Sequence, residues 1–476
     1  MNSKIIQLLV SLLLIAAACS IIFVFVFKGG HVSHKEFWHI LLFLFILIVL
    51  LLNLRPHWSL EKKHRHFFET FISRTDPAIL RRILGDADSD QVDPRYRSFV
   101  KLIGGDLHLC ATSNNSVEII TDGSRKYELL LHDLENAKES IHMEYYHFGA
   151  DKGSRAVRDM LIKKAREGVK VKFINENVAN FPIGHRYYLS MKKSGVEVIR
   201  FTSMNMRHLI RDFLTKLNYR NHRKVVVIDG KIGYTGGMNI NDHYFKKWRD
   251  THLRIEGDAV AQLQLIFLNS WVTSGGSEPE EYDSMFPKTD PQPEQRLVQI
   301  IADEPGMAFH PIQMSYVWAL MHAKDYFYIQ TPYFSPSEPV LEALKAAARS
   351  GVDVRIMLPK KSDTAFMGPV NKSFYKECMS SGVRFFEREG EFMHAKTFVS
   401  DDYLSCVGTA NMDNRSFKLN YEDNAYIYDS ELARQSKAIF MKDMETSEEV
   451  FLDDVKAWPW YQVFLQKVLH TFASVL

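Results

Sequence analysis

A histidine, a lysine and an aspartate at H-x-K-x-x-x-x-D spacing occur twice in this chain, as His222, Lys224 and Asp229 and again as His394, Lys396 and Asp401. The match runs on past the aspartates. A glycine stands fourteen residues after each histidine (Gly236, Gly408), an asparagine seventeen after (Asn239, Asn411) and an acid twenty-eight after (Asp250, Glu422). Three specified positions recur by accident in long chains, but a second string sharing three further offsets does not. The duplication restricts the chain to folds with two similar halves built to bring their motifs together.

The residue types state a chemistry. Alternation along a strand puts the histidine and lysine of an H-x-K pair on one face. An imidazole works near neutral pH as nucleophile or general acid. A lysine ammonium and an asparagine amide hold the non-bridging oxygens of a phosphate. Two sets supply one histidine to attack phosphorus and another to protonate the leaving oxygen. Lys224, Lys396, Asn239 and Asn411 are therefore expected to bind phosphate. Asp250 and Glu422, at their equal offsets, are expected to orient the imidazoles by accepting the second N–H. Asp229 and Asp401 belong to the catalytic set by motif, but their place suits bracing a turn or pairing with a base more than touching substrate. The sequence has no spaced Cys/His or multi-carboxylate cluster, so neither a metal nor another cofactor is expected.

Similarity between the halves extends upstream. Ala137–Phe148 aligns ungapped with Ala323–Phe334, each reading as a helix end followed by an aromatic-rich strand. Amphipathic helices follow near Arg155–Glu167 and Pro339–Ser350, each stopped by a glycine (Gly168, Gly351) before an apolar strand. Third strands start at Ser194-Gly195 and Ser381-Gly382, and each motif strand turns through Asp229-Gly230 or Asp401-Asp402 into a partner. Each half thus reads as an α/β unit with a mixed sheet, and the two must dock face to face to unite His222 with His394. The expected layout is a first domain over 104–272, a linker over 273–295 rich in Gly, Ser, Pro and acids, and a second domain over 296–476. The halves differ between Gly195 and His222, which are 27 residues apart against 12 from Gly382 to His394. That 202–221 insertion mixes Met204, Leu209, Phe213 and Leu217 with Arg207, Arg211 and Lys216, suiting a segment at an anionic lipid surface or a packed helix. The end segment from Trp458 to Phe472 suits an interfacial aromatic anchor as well as it suits a packed helix.

In these words the chain resembles the phospholipase D superfamily, and within it the bacterial cardiolipin synthases. Asn221-His222-Arg223-Lys224 with Gly236-Gly237-Met238-Asn239 and Trp248-Arg249-Asp250-Thr251-His252 resembles the first motif of that family. Met393-His394-Ala395-Lys396 with Gly408-Thr409-Ala410-Asn411-Met412-Asp413 and Arg415-Ser416-Phe417 resembles the second. The resemblance covers most of the chain from about Gly104 onward. Gly237 and Thr409 stand where a serine is common in the superfamily, and Asn175-Glu176-Asn177 after the strand Val169–Ile174 replaces an aspartate-containing turn. The resemblance implies two docked phospholipase D-like α/β sandwich domains. It implies transfer of a phosphatidyl group between two phosphatidylglycerols, giving cardiolipin and glycerol through a phosphatidyl-histidine. It implies His222 as the nucleophile and His394 as the general acid/base. A phospholipase D-type hydrolase, or a transferase using another alcohol, is the alternative.

Two apolar runs, Ile5–Phe27 and about Phe37–Leu54, precede all of this and read as a transmembrane helical hairpin over 1–57. Arg55, Lys62, Lys63 and Arg65 follow the second run, which by the positive-inside rule puts the catalytic domains on the cytoplasmic side of a bacterial cell membrane. Residues 58–103 read as a charged membrane-proximal linker, helical at its start. A cleaved signal peptide fits poorly, because the first run is long and a second follows at once. Cys19, Cys110, Cys378 and Cys406 form no paired framework. A net charge of +2 argues against nucleic acid as the partner, and intact His and Lys in both motifs argue against a mere membrane scaffold. Partners are expected to be phosphatidylglycerol and anionic membrane lipid.

Overall fold

The computed structural model describes residues 57–105, 108–201, 219–364, 366–471 and 473. The two expected membrane spans and residues 202–218 of the insertion lie outside these. Among the described residues no helix is long and apolar enough to cross a membrane.

The strands of both halves belong to one fifteen-stranded sheet among the described residues. From one edge the first half runs Glu197–Phe201, Lys170–Glu176, Ser140–Tyr145, Lys224–Ile228, Ile232–Gly236, His252–Gly257 and Thr112–Ile120. The second half repeats that order from the opposite edge: Arg384–Arg388, Asp353–Pro359, Tyr326–Gln330, Thr397–Ser400, Leu404–Gly408, Glu422–Tyr428 and Arg296–Asp303. Ser447–Val450 adds an extra outer strand beside Arg384–Arg388. The halves join where Thr112–Ile120 pairs antiparallel with Arg296–Asp303 across an irregular register. Docking face to face is thus accompanied by an edge-to-edge seam, which the alternating patterns do not announce because backbone pairing leaves no side-chain signature. The strands that follow the motif strands approach across it: Thr235 on Ile232–Gly236 bonds Asp423 on Glu422–Tyr428. One apolar cluster there takes Val117, Val225 and Leu253 from the first half and Val298, Val407 and Ile427 from the second.

Parallel pairing of Ser140–Tyr145 with Lys170–Glu176, and of Tyr326–Gln330 with Asp353–Pro359, brings the expected βαβ units about as read. Their crossover helices are Lys152–Arg166 and Glu338–Arg349. One boundary moves: Asn175 and Glu176 are buried and finish their strand rather than forming a turn. Helix Ala259–Thr273 is buried from Ala259 through Trp271. Its polar side chains are tied down, Gln262 donating to the carbonyls of Ile83 and Cys110 at 2.9 Å each and Gln264 pairing with His142 at 2.9 Å. The expected linker is ordered: Tyr282 and Phe286 are buried, packing their rings against Phe71.

The motif aspartates lie at the far end of their strands from the histidines. Asp229 and Gly230 have φ of 51° and 62°, and Asp401 and Asp402 both 50°, the left-handed pair that a tight hairpin of this twist demands. The Asp229 carboxylate accepts from the backbone N–H groups of Lys138, Glu139 and Ser140 at 2.7–2.8 Å. Asp401 repeats this with Lys324, Asp325 and Tyr326 at 2.9–3.1 Å. Both are therefore turn braces, and their place in the catalytic set is corrected. A strand of five residues in the first half and four in the second separates the two ends by roughly 13–17 Å, beyond reach of substrate. Replacing Asp229 or Asp401 by alanine is expected to cost about 1–3 kcal/mol of stability per site. Thermal unfolding of the full chain measures this; unchanged stability with lost turnover would return the aspartates to the reacting centre.

Candidate active site

Backbone pairing across the halves places both histidines. The His222 N–H donates to the carbonyl of Tyr421 at 2.9 Å, and the His394 N–H to the carbonyl of Arg249 at 2.8 Å. Each of those carbonyls belongs to the residue just before an acid. The short strands Phe392–Met393 and Trp248–Arg249 run parallel, as do Asn221 and Tyr421, so each histidine meets the acid of the other half.

The side chains follow. His222 Nδ1 lies 3.0 and 2.9 Å from the two carboxylate oxygens of Glu422, and His394 Nδ1 lies 2.6 Å from Asp250 Oδ2. The orienting acids are those expected from the offsets, but their partnership is crossed between the halves. Burial pushes His222 down to about 4, with the Lys224 and Lys396 charges assisting and Glu422 opposing. Burial and then Lys396 push His394 down to about 3 against the pull of Asp250. For Glu422 burial favours the neutral acid, but His222, Lys224 and Thr409 override it and hold the group below its ordinary range. His222 is thus a neutral imidazole donating Nδ1–H to an ionised carboxylate, which leaves Nε2 with its lone pair.

The motif lysines are buried beside the rings. Lys224 Nζ donates to the His222 carbonyl at 2.6 Å and lies 5.3 Å from the centre of the Tyr146 ring. Lys396 Nζ lies 2.9 Å from Nδ1 and 3.1 Å from Nε2 of His394. Burial lowers them to about 7 and about 8, respectively, so an arriving anion would restore their full charge. The asparagines diverge. Asn239 is occupied at both ends, accepting from the His147 N–H at 3.0 Å and donating to the Tyr244 hydroxyl at 2.7 Å. It thereby holds Tyr244, whose ring stands edge-on to His394 at 5.4 Å. Asn411 Oδ1 is buried and has no partner among the described residues.

Other residues join the site without a role read from the sequence. Tyr146 meets His222 edge-on at 4.8 Å, and Trp248 lies 5.1 Å from His394. Thr409 donates to Glu422 at 2.6 Å and Asn420 does so at 3.0 Å. At Gly237 a Cβ would fall 2.0 Å from Asp250 Oδ1, so with Asp250 in this position there is no room here for a counterpart of the Thr409 hydroxyl. Arg223, fully buried between the motif His and Lys, donates to the Glu422 carbonyl at 3.2 Å, Ser270 at 3.0 Å and Glu304 at 2.9 Å. Its counterpart is the small Ala395. Alternation could have pointed to Arg223, since the middle residue of H-x-K faces away from the site. Among the described residues no cluster of three or more His, Cys, Asp or Glu is arranged to hold a metal ion.

The family model for the cardiolipin synthase phospholipase D-like domain matches residues 130–271 and 316–444. The chain belongs to this family. It is 33% identical to the major cardiolipin synthase of Bacillus subtilis, covering 92% of this chain and 93% of that protein. It is 38% identical to cardiolipin synthase 1 of Staphylococcus aureus, over 82% of this chain and 79% of the other. Among solved structures the fold is similar to a phosphatidylserine synthase of Haemophilus influenzae, with a TM-score of 0.57 and 14% identity over 76% of this chain and 95% of that one. The activity is that of a cardiolipin synthase, a phosphatidyltransferase.

Two measurements test the geometry of this cardiolipin synthase. Imidazole nitrogen NMR should show Glu422→Gln disturbing the His222 tautomer and Asp250→Asn that of His394; the opposite pattern would exclude the crossed partnership. Because both imidazoles are held down near 3 and 4, binding a short-chain phosphonate diester at pH 7 should take up protons. Calorimetry in two buffers of different ionisation enthalpy reads this, and proton release would overturn it.

Proposed function

We propose that this cardiolipin synthase joins two phosphatidylglycerols, with His222 as nucleophile and His394 as general acid and base. The observation carrying the assignment is an asymmetry of the two rings. Among the described residues nothing engages Nε2 of His222, whereas the Lys396 ammonium lies 3.1 Å from Nε2 of His394. His222 Nε2 attacks phosphorus of the first lipid. With the diester bound, His394 takes up a proton from solvent; as the bond from phosphorus to the glycerol oxygen breaks, the departing oxygen takes that proton from His394. The primary hydroxyl of the second lipid then returns a proton to His394, attacks phosphorus and frees the imidazole. Lys224, Lys396 and the amide of Asn411 hold the non-bridging oxygens throughout. One phosphodiester replaces another, so no nucleotide is consumed.

The apolar runs at Ile5–Phe27 and Phe37–Leu54, with the basic residues after them, support a bacterial membrane enzyme whose two phospholipase D-like domains face the cytoplasm. A bilayer holds both substrates at high local concentration and favours a lipid alcohol over water as acceptor.

Purified full-length protein given phosphatidylglycerol alone should yield cardiolipin and free glycerol. Acid-labile phosphate trapped during turnover should map to the His222 peptide. Label on the His394 peptide would reverse the two roles, and phosphatidic acid as the sole product would make the enzyme a hydrolase.

A further inference from the structure

The last described helix, Trp460–His470, wears its apolar face outward. Trp460 is 78% exposed, Tyr461 63%, Phe464 62%, Leu465 48% and Val468 40%. At 3.6 residues per turn these five fall within an arc of about 140°. The opposite side, turned toward the protein, carries Gln462 and Gln466 together with Val463 and Leu469. Gln466 is 5% exposed, and its Nε2 has no partner among the described residues. A helix that packs by burying its apolar stripe would be turned the other way round. The glutamines face the protein and the Trp, Tyr, Phe and Leu face outward, so this surface is complete only against something apolar.

The helix is tied to the second half-site through shared scaffold. It packs against Met367–Ser373, where His470 Nδ1 lies 3.0 Å from Ser373 Oγ and the His470 ring 4.5 Å from that of Phe374. Asn371 of that supporting helix accepts from the Phe334 N–H at 2.8 Å, and Ser335 donates to the carbonyl of Ala473 at 2.9 Å. Phe334 and Ser335 pair with Met412 and Asp413, directly after Asn411. The outward apolar face and the second half-site therefore share one piece of scaffold. Its composition specifies the occupant. Trp and Tyr at the start suit the boundary between headgroups and acyl chains, and a helix with Lys467 and His470 but no carboxylate suits an anionic surface.

We propose that Trp460–His470 is an interfacial helix that lays Trp460, Tyr461, Phe464, Leu465 and Val468 into the bilayer and so holds the mouth of the active site against the layer of its lipid substrates. This rests on the reading that those substrates are bilayer phosphatidylglycerol. The helix acts beside the N-terminal apolar runs: they would keep the protein in the membrane, and it sets the approach of the site.

The test uses the full chain with Trp460, Phe464 and Leu465 replaced by serine, exposed positions where the change removes little internal packing. Cardiolipin formation is measured on phosphatidylcholine vesicles containing phosphatidylglycerol and on monomeric dihexanoyl phosphatidylglycerol. The ratio of vesicle to monomer activity should fall about tenfold or more, as expected when several apolar side chains lose their membrane contact. In parallel, a fluorophore on Val468→Cys in the otherwise unaltered protein should be quenched by doxyl-labelled lipid. Equal loss on both substrates would mark a packing role and overturn the proposal, as would an unchanged ratio. Dissociation of an oligomer in detergent with an unchanged ratio would assign the face to a second copy instead. If the unaltered protein makes no cardiolipin from either substrate, the functional reading fails, while quenching at Val468 still decides whether the helix enters the bilayer.

Discussion

Each motif imidazole is held by a carboxylate from the other half of the chain, and most of the structure can be understood as the means of making that exchange possible. Glu422 reaches His222 and Asp250 reaches His394, at 2.6–3.0 Å in every case. An imidazole as buried as these loses hydration that only a close partner can replace, so neither half would hold its own ring in a defined tautomer. The seam between Thr112–Ile120 and Arg296–Asp303, the shared apolar cluster and the buried helix Ala259–Thr273 bring the exchange into register. A shift of one residue along that seam would turn the pairs away from one another.

The repeat is a duplication whose copies have diverged in their supports. Arg223 in the first half is a buried cation and its counterpart Ala395 is a methyl group. Arg223 binds the backbone of Glu422 and the carboxylate of Glu304, and Glu304 in turn binds His64 at 2.7 Å. Burial opposes the charge on Glu304, but His64 and Arg223 outweigh it and hold the acid down at about 2. His64 lies on helix His57–Arg74, so two buried ion pairs and a hydrogen bond to a main-chain carbonyl link the segment after the apolar runs to the residue that orients His222. Breaking one member of such a chain typically costs about 3–5 kcal/mol, because it strands the remaining charge. The second half spends its polar contacts differently: Thr409 and Asn420 steady Glu422 directly. Similar histidines in dissimilar surroundings allow two chemical roles from one repeated motif.

The sequence by itself determined that there are two halves, that each carries a βαβ unit with a motif strand after it, and which histidines, lysines and acids come in matched sets. Those features reside in spacing and alternation, which local backbone geometry imposes whatever the rest of the chain does. It also told that Asp229 and Asp401 suit turns, since an acid beside Gly230 or Asp402 at a hairpin has a local task. Only the tertiary structure decided which acid meets which histidine, that the halves share one sheet, that Asn239 meets Tyr244 and that Arg223 is buried beside Glu422. Helix Trp460–His470 had two equally good readings in sequence, and only the structure shows that its aromatic face is turned outward. The physical reason is common to these cases. Equal offsets report that two residues have like roles within their own copies, but contact across copies depends on how backbones pair over nearly two hundred residues of separation, as for His222 and Glu422.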